Sequence, residues 1–259
     1  GRGEGAFMSL ENQGFIVTGA ASGLGAAVAE HVVAAGGKVL VLDRDGAAAT
    51  AQAEALGPAA IALAADVTSE ADGARAIAAA TQGFGRLDGL VNCAGIAPGK
   101  RIVGRDGPHE LELFARTVSV NLVGTFNMLR LAAEAMAAQD PDAAGDRGVI
   151  VNTASVAAYE GQIGQAAYAA SKGGVVALTL PAARELARHR IRVVTIAPGI
   201  FAIRTLRQIQ ARRKRCIGLF GRLGCGAKRR QAGFDRDFIG FACATAAAGA
   251  ADFAHRFRL

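Results

Sequence analysis

The chain alternates short apolar runs with longer alanine-rich stretches through its first 200 residues. Segments 15–18, 38–42, 59–63, 89–92, 149–153 and 192–196 are four or five residues long and rich in Val, Ile, Leu and Ala, the pattern of strands buried on both faces of a parallel sheet. Helix-forming stretches separate them, and residues 47–80 read as two helices around a strand rather than as low-complexity sequence. Strands alternating with helices predict an α/β fold, a doubly wound parallel sheet in three layers, with strand order reversing after the third strand. No internal repeat is evident, and residues 9–202 accommodate the pattern as one domain. Residues 1–8 are set aside as a leader, and residues 203–259 form a segment of different character.

Polar and small residues gather where these strands end. Thr18-Gly19-Ala20-Ala21-Ser22-Gly23-Leu24-Gly25 lies between the first strand and a helix. A glycine turn in that context lets backbone N–H groups and the helix N-terminus approach a phosphate, the Rossmann arrangement for a dinucleotide. The second strand ends in Asp43, 18 residues after Gly25. A carboxylate there accepts hydrogen bonds from the adenosine ribose and repels a 2′-phosphate, which favours NAD over NADP, although Arg44 beside it softens that preference. Asp66-Val67, Asn92-Cys93-Ala94-Gly95, Thr153-Ala154-Ser155 and Pro198-Gly199 follow the next four strands.

Tyr168 and Lys172 stand four residues apart at the start of a helical run, so one turn places both side chains on one face. A phenol, with its ordinary pKa of about 10, is a poor acid or base at neutral pH, and an adjacent ammonium favours its phenolate. Such a pair can move a proton to or from a substrate oxygen. The spacing alone also fits an ordinary amphipathic face.

Six motifs stand in order between residues 18 and 199: the glycine turn, Asn-x-Ala-Gly at Asn92 to Gly95, Asn121, Ser155, Tyr-x-x-x-Lys at Tyr168 to Lys172, and Pro198-Gly199. In this set the chain resembles the short-chain dehydrogenase/reductase family. Within it, Gly148-Val149-Ile150-Val151-Asn152-Thr153-Ala154-Ser155-Val156-Ala157-Ala158 and Gly161-Gln162-Ile163-Gly164-Gln165-Ala166-Ala167-Tyr168, with the polar loop 140–147, resemble the 3-hydroxyacyl-CoA dehydrogenases. The resemblance implies an NAD-dependent enzyme that interconverts a 3-hydroxyacyl-CoA and its 3-oxoacyl-CoA. It implies Tyr168 as general acid/base, with Lys172 lowering the tyrosine pKa and binding the nicotinamide ribose. Ser155 is then the donor to the substrate oxygen, and Asn121 holds Lys172 and an ordered water. Gly19, Ser22, Gly23, Leu24 and Gly25 line the pyrophosphate, Asp43 the adenosine ribose, and Asp66 and Val67 the adenine. Asn92 and Ala94 border the ribose and nicotinamide, and Pro198 and Gly199 complete the cofactor set. The resemblance also implies a homotetramer, with one interface on the Tyr168 helix and its neighbour and another on the last strand.

Each of these residues has a plainer reading. Ser155 and Asn121, taken as strand-end residues, have the chemistry of caps and turns. Gln165 either touches substrate or caps the Tyr168 helix. Cys93 reads as a filler of a small buried space, His31 as a helix-face or core residue, and His109 as solvated loop. Asp142 and Asp146 read as loop charges, not a metal pair.

Charge separates the two parts of the chain. Residues 201–259 carry 13 Lys+Arg and three Asp+Glu, a net of +10, whereas residues 1–200 carry 16 and 19, a net of −3; the whole-chain +7 comes from the tail. Cys216, Cys225 and Cys243 also lie there, with no Cys-x-x-Cys spacing, which argues against a zinc site or a disulfide framework. Ile203 stands where the family pattern has a threonine near the nicotinamide, with Thr205 displaced by two positions. Three readings of this segment remain open: a divergent substrate lid whose arginines attract an anionic CoA or acyl carrier, a nucleic-acid or anionic-surface binder, and a segment read out of frame. No apolar run reaches the length of a membrane span and no secretory signal is seen, so the expectation is a cytoplasmic enzyme with a small ketone or alcohol substrate. The alternatives are a reductase of 3-oxoacyl groups on a carrier protein and a catalytically silent scaffold that binds nucleic acid through its tail. The intact set Tyr168, Lys172, Ser155 and Asn121 argues against the scaffold.

Overall fold

The computed structural model describes residues 10–199, and the readings of residues 1–8 and 203–259 lie outside that range. The chain runs β1 (Gly14–Thr18), α1 (Gly23–Ala34), β2 (Lys38–Asp43), α2 (Gly46–Leu56), β3 (Ala60–Ala64), α3 (Glu70–Phe84) and β4 (Gly89–Asn92). A small hairpin follows, β5 (Val103–Gly104) and β6 (Gly107–Pro108), then α4 (Leu111–Val118), a π-helical turn (Ser119–Val123) and α5 (Gly124–Ala138). Last come β7 (Gly148–Thr153), a 3-10 turn (Val156–Ala158), α6 (Ala166–Ala187) and β8 (Ile191–Ile196).

The main sheet is six-stranded and parallel, in the order β3-β2-β1-β4-β7-β8. Order therefore reverses between β3 and β4, and the crevice above β1 and β4 is the place where such sheets bind ligands. All six strands fall where the apolar runs predicted, with ends moved by at most one residue. Alternation along each strand builds two cores. Ile16, Leu40, Leu42, Leu90 and Ile150 face α3, α5 and α6 through Ala76, Met128 and Ala182. Phe15, Val17, Val39, Val41 and Val91 face α1 and α2 through Ala29, Val32, Ala49 and Ala53. Alanine on the helices lets them lie close to the sheet. Among the described residues no helix is long and apolar enough to cross a membrane.

Asp88 ties together the entry of three strands. Its Oδ2 accepts the Gly14 N–H at 2.8 Å, its own N–H donates to the Gly14 carbonyl at 2.8 Å, and its carbonyl accepts the Val149 N–H at 2.9 Å. Arg86 pairs with its other carboxylate oxygen. Asp88→Ala strands the buried Gly14 N–H and unpairs Arg86, so it is expected to lower stability by about 3 kcal/mol in urea unfolding. A loss below about 1 kcal/mol would show that the carboxylate is dispensable.

Candidate active site

The β1–α1 turn is closed on its inner side and open on its outer side. Gly19 and Gly23 take φ of 65° and 58°, the left-handed region that favours glycine. A Cβ on Gly25 would meet the Gly19 carbonyl oxygen at 2.2 Å, and one on Gly19 would meet Ala94 Cα at 2.8 Å, yet nothing lies within 4 Å of a Cβ on Gly23. Ser22 stands exposed at the N-cap of α1 with its hydroxyl bonded to no helix N–H, and Leu24 follows half-buried in the first turn. The hydroxyl and the first-turn N–H groups are thus free for an anion. Asp43 lies beside this turn: Oδ2 accepts the Ala21 N–H at 3.2 Å and Oδ1 the Asp45 N–H at 3.1 Å. A shallow glycine cradle for a pyrophosphate, flanked by a carboxylate for ribose hydroxyls, fits a dinucleotide.

Two sequence-predicted cofactor residues are engaged inside the fold. Asn92 is buried, and its Nδ2 donates to Asn152 Oδ1 at 3.0 Å across the β4–β7 register, so its side chain ties the sheet. Val67 is buried in the α3–α5 core, whereas Asp66 is exposed and accepts the Thr68 N–H and hydroxyl at 2.8 and 2.7 Å. Ala94 does sit against the glycine turn. Its N–H and that of Cys93 both donate to Thr18 Oγ1 at 3.1 Å, which fastens the end of β4 to the end of β1.

Tyr168 and Lys172 sit at the start of α6. Tyr168 is half-buried and Lys172 is 5% exposed, its Nζ 5.8 Å from the centre of the tyrosine ring. Lys172 Nζ donates to the Thr153 carbonyl at the end of β7. Burial pulls the ammonium pKa from 10.5 down to about 8, with Cys93 acting weakly in the other direction. Cys93 Sγ lies 3.8 Å from Thr153 Oγ1, and burial raises its thiol pKa, so it fills space as a neutral thiol. Gly95 leaves room for Asn121 close by: a Cβ there would stand 3.1 Å from Asn121 Oδ1.

Ser155 is two residues past Thr153 and starts the 3-10 turn, its Oγ accepting the Ala157 N–H at 3.2 Å. Pro198 supports this turn by accepting the Val156 N–H at 3.1 Å, and Gly199 is exposed beyond it. Gly161 seats the following loop on α6, since its Cβ would lie 3.1 Å from Ala169 Cβ and 3.3 Å from the Ala157 carbonyl. Gln165 Oε1 turns back to the Gln162 N–H at 2.9 Å and caps no α6 N–H, so its capping role is in the preceding loop.

Asn121 is not a strand-end residue. It lies in the π turn between α4 and α5, fully buried, with Oδ1 accepting the Ile96 N–H at 2.8 Å and Nδ2 donating to Ile96 O and Ser171 Oγ, both at 2.9 Å. Its side chain thus holds the strand β4 loop to α6, and its hydrogen bonds go to Ile96 and Ser171 rather than to Lys172. His109 also differs from a solvated residue: it is half-buried, with Nδ1 2.8 Å from the Glu110 carbonyl oxygen and its ring edge-on to Phe114. Among the loop charges, Asp142 accepts the Ala144 and Asp146 N–H groups of its own loop, and Asp146 pairs with Arg192. Thr18 opens the glycine turn and Thr153 closes its strand in the sequence pattern, whereas the polar contacts of Asn152 and Ser171 have no local sequence signal.

A model of the short chain dehydrogenase family matches residues 13–214. The human protein 3-hydroxyacyl-CoA dehydrogenase type-2 is 53% identical over 188 residues, covering 72% of each chain. Its namesake from Drosophila melanogaster is 48% identical over 194 residues, covering 74% of this chain and 76% of that one. The crystal structure of 3-hydroxyacyl-CoA dehydrogenase type-2 from Mycobacterium avium superposes with a TM-score of 0.73 at 42% identity, covering 77% of this chain and 78% of the other. With its glycine cradle, its six-stranded sheet and its Tyr168–Lys172 pair on α6, the chain belongs to the short-chain dehydrogenase family of oxidoreductases.

Proposed function

We propose that the chain is an NAD-dependent dehydrogenase that interconverts a 3-hydroxyacyl-CoA and its 3-oxoacyl-CoA. The observation that carries this reading is the seating of Lys172: a buried ammonium beside Tyr168, anchored on the carbonyl of Thr153, which ends β7 two residues before Ser155. The names of relatives at 53% and 48% identity support the substrate, and the carboxylate of Asp43 beside the cradle supports NAD over NADP.

NAD, when bound, takes up or supplies the hydride. The chain's own groups handle the proton and the charge. Tyr168 gives its phenolic proton to the substrate oxygen in reduction and takes it back in oxidation. Ser155 Oγ already accepts the Ala157 N–H, so its own proton is left to donate to the same oxygen and stabilise alkoxide character there. Lys172 spends one N–H on Thr153 and keeps two for the phenol side and the cofactor ribose. The exposed apolar side chains Val123 and Phe126 on and beside α5 suit the helix-to-helix interface of a homotetramer.

Tyr168→Phe is expected to cut NADH oxidation with acetoacetyl-CoA by about 10³-fold while NADH affinity stays within about twofold. Turnover near the wild-type rate would remove Tyr168 from the mechanism. Activity with carrier-bound thioester and NADPH, but not with acetoacetyl-CoA and NADH, would instead favour the carrier-protein reductase.

Lys172 also makes stability depend on pH. Its folded pKa of about 8 lies below the ordinary 10.5, so between these values the unfolded chain binds more protons and folding gains stability as pH rises. Below pH 8 the buried charge costs about 3 kcal/mol. In urea titrations, wild type is expected to gain about 3 kcal/mol on Lys172→Met between pH 7 and pH 10.5. A constant difference between the two proteins across that window would mean that the ammonium is not strained by burial.

A further inference from the structure

We propose that Asn127 is a positioning residue for the adenosine end of the cofactor site, acting through α5 on the loop that follows β3. The inference rests on the NAD reading above. Asn127 is 6% exposed, and its Nδ2 donates to two carbonyls of that loop, Val67 O at 2.9 Å and Ser69 O at 3.1 Å. Its Oδ1 accepts from Arg130 Nη2 at 2.9 Å, and the same Nη2 lies 3.0 Å from Glu70 in the first turn of α3. Both amide hydrogens are used and the amide cannot flip without losing all three bonds.

The loop is pinned from its other side as well. Asp72 Oδ2 accepts the Asp66 N–H at 2.8 Å, Asp66 holds Thr68, and Ser69 Oγ accepts the Asp72 N–H at 3.2 Å. Glycines let the two flanks close. A Cβ on Gly124 would stand 2.6 Å from Val67 Cγ2, and one on Gly73 2.6 Å from Leu131 Cδ1. Val67 is therefore locked while Asp66, at the carboxyl end of β3, stays exposed toward the crevice side of the sheet.

Asn121 lies six residues before Asn127, about 9 Å along the helix axis. One residue fastens the loop beside Lys172 and the other fastens the loop at the end of β3. The helical stretch from the π turn into α5 thus sets the spacing between the two ends of the cofactor site, and Asn127 transmits it to the adenosine end.

Calorimetric titration of the full chain with NADH and with ADP-ribose tests this, alongside steady-state kinetics and amide exchange of residues 65–69. Asn127→Ala is expected to weaken ADP-ribose and NADH binding about tenfold, to raise KM for NADH by a similar factor with kcat within about twofold, and to speed exchange in that loop. Arg130→Met, on the protein surface, releases the amide oxygen without opening the core and is expected to weaken ADP-ribose about threefold; it decides the matter if Asn127→Ala does not fold. Unchanged ADP-ribose affinity in a folded variant overturns the inference, as does a fall in kcat as large as the rise in KM. Wild type that binds neither NADH nor ADP-ribose overturns the cofactor reading and the inference with it, an outcome distinct from equal affinities in wild type and variant.

Discussion

A charged ammonium kept almost out of water is the constraint around which the site is arranged. Lys172 is buried, its Nζ donates to the Thr153 carbonyl, and its lowered pKa still lies above neutral pH, so it keeps its charge there. Burial still drags its pKa to about 8, so the fold holds the group against its solvation preference. Much of the surrounding structure reads as support for that placement. Gly95 clears space beside the Asn121 amide that reaches α6, and neutral Cys93 fills the gap next to Thr153 without bringing a charge. The strain is tolerable in a molecule whose parallel sheet and two apolar cores are continuous beneath the site.

Polar residues inside the helical layer carry this support across the sheet. Asn121 joins Ile96 to Ser171, Thr125 donates to the Asn121 carbonyl, and Asn92 reaches both Asn152 and the Thr125 carbonyl. The π turn makes the first of these links possible, because its wider winding directs Asn121 inward at a point where a regular helix has a different phase. Asn121, Thr125, Asn92, Asn152 and Ser171 are all buried, so loss of one of their side chains removes a partner from a buried polar group.

Sequence reading reached the strands and the glycine cradle because both are written locally. Apolar runs of strand length and a glycine turn between strand and helix need no distant partner to be recognised, and Tyr168 and Lys172 share one helical turn. What stayed hidden depends on contacts between distant parts of the chain. Asn92 pairs with a residue 60 positions away, and Thr153 matters through its carbonyl rather than its side chain. Asn121 reads as a strand-end residue from sequence because a π turn has no distinct spacing of apolar residues. The β5–β6 hairpin is two residues per strand, too short for a period to show.

The chain is an oxidoreductase, and its chemistry is proton and hydride exchange at a carbon bearing oxygen. Mass spectrometry of the thioester product formed from acetoacetyl-CoA and NADH deuterated at the reacting C4 position tests it most directly. One deuterium is expected at the hydroxyl-bearing carbon of the product. A reduced product without deuterium there, or a thioester returned unchanged by a chain that binds both NADH and acetoacetyl-CoA, would contradict it.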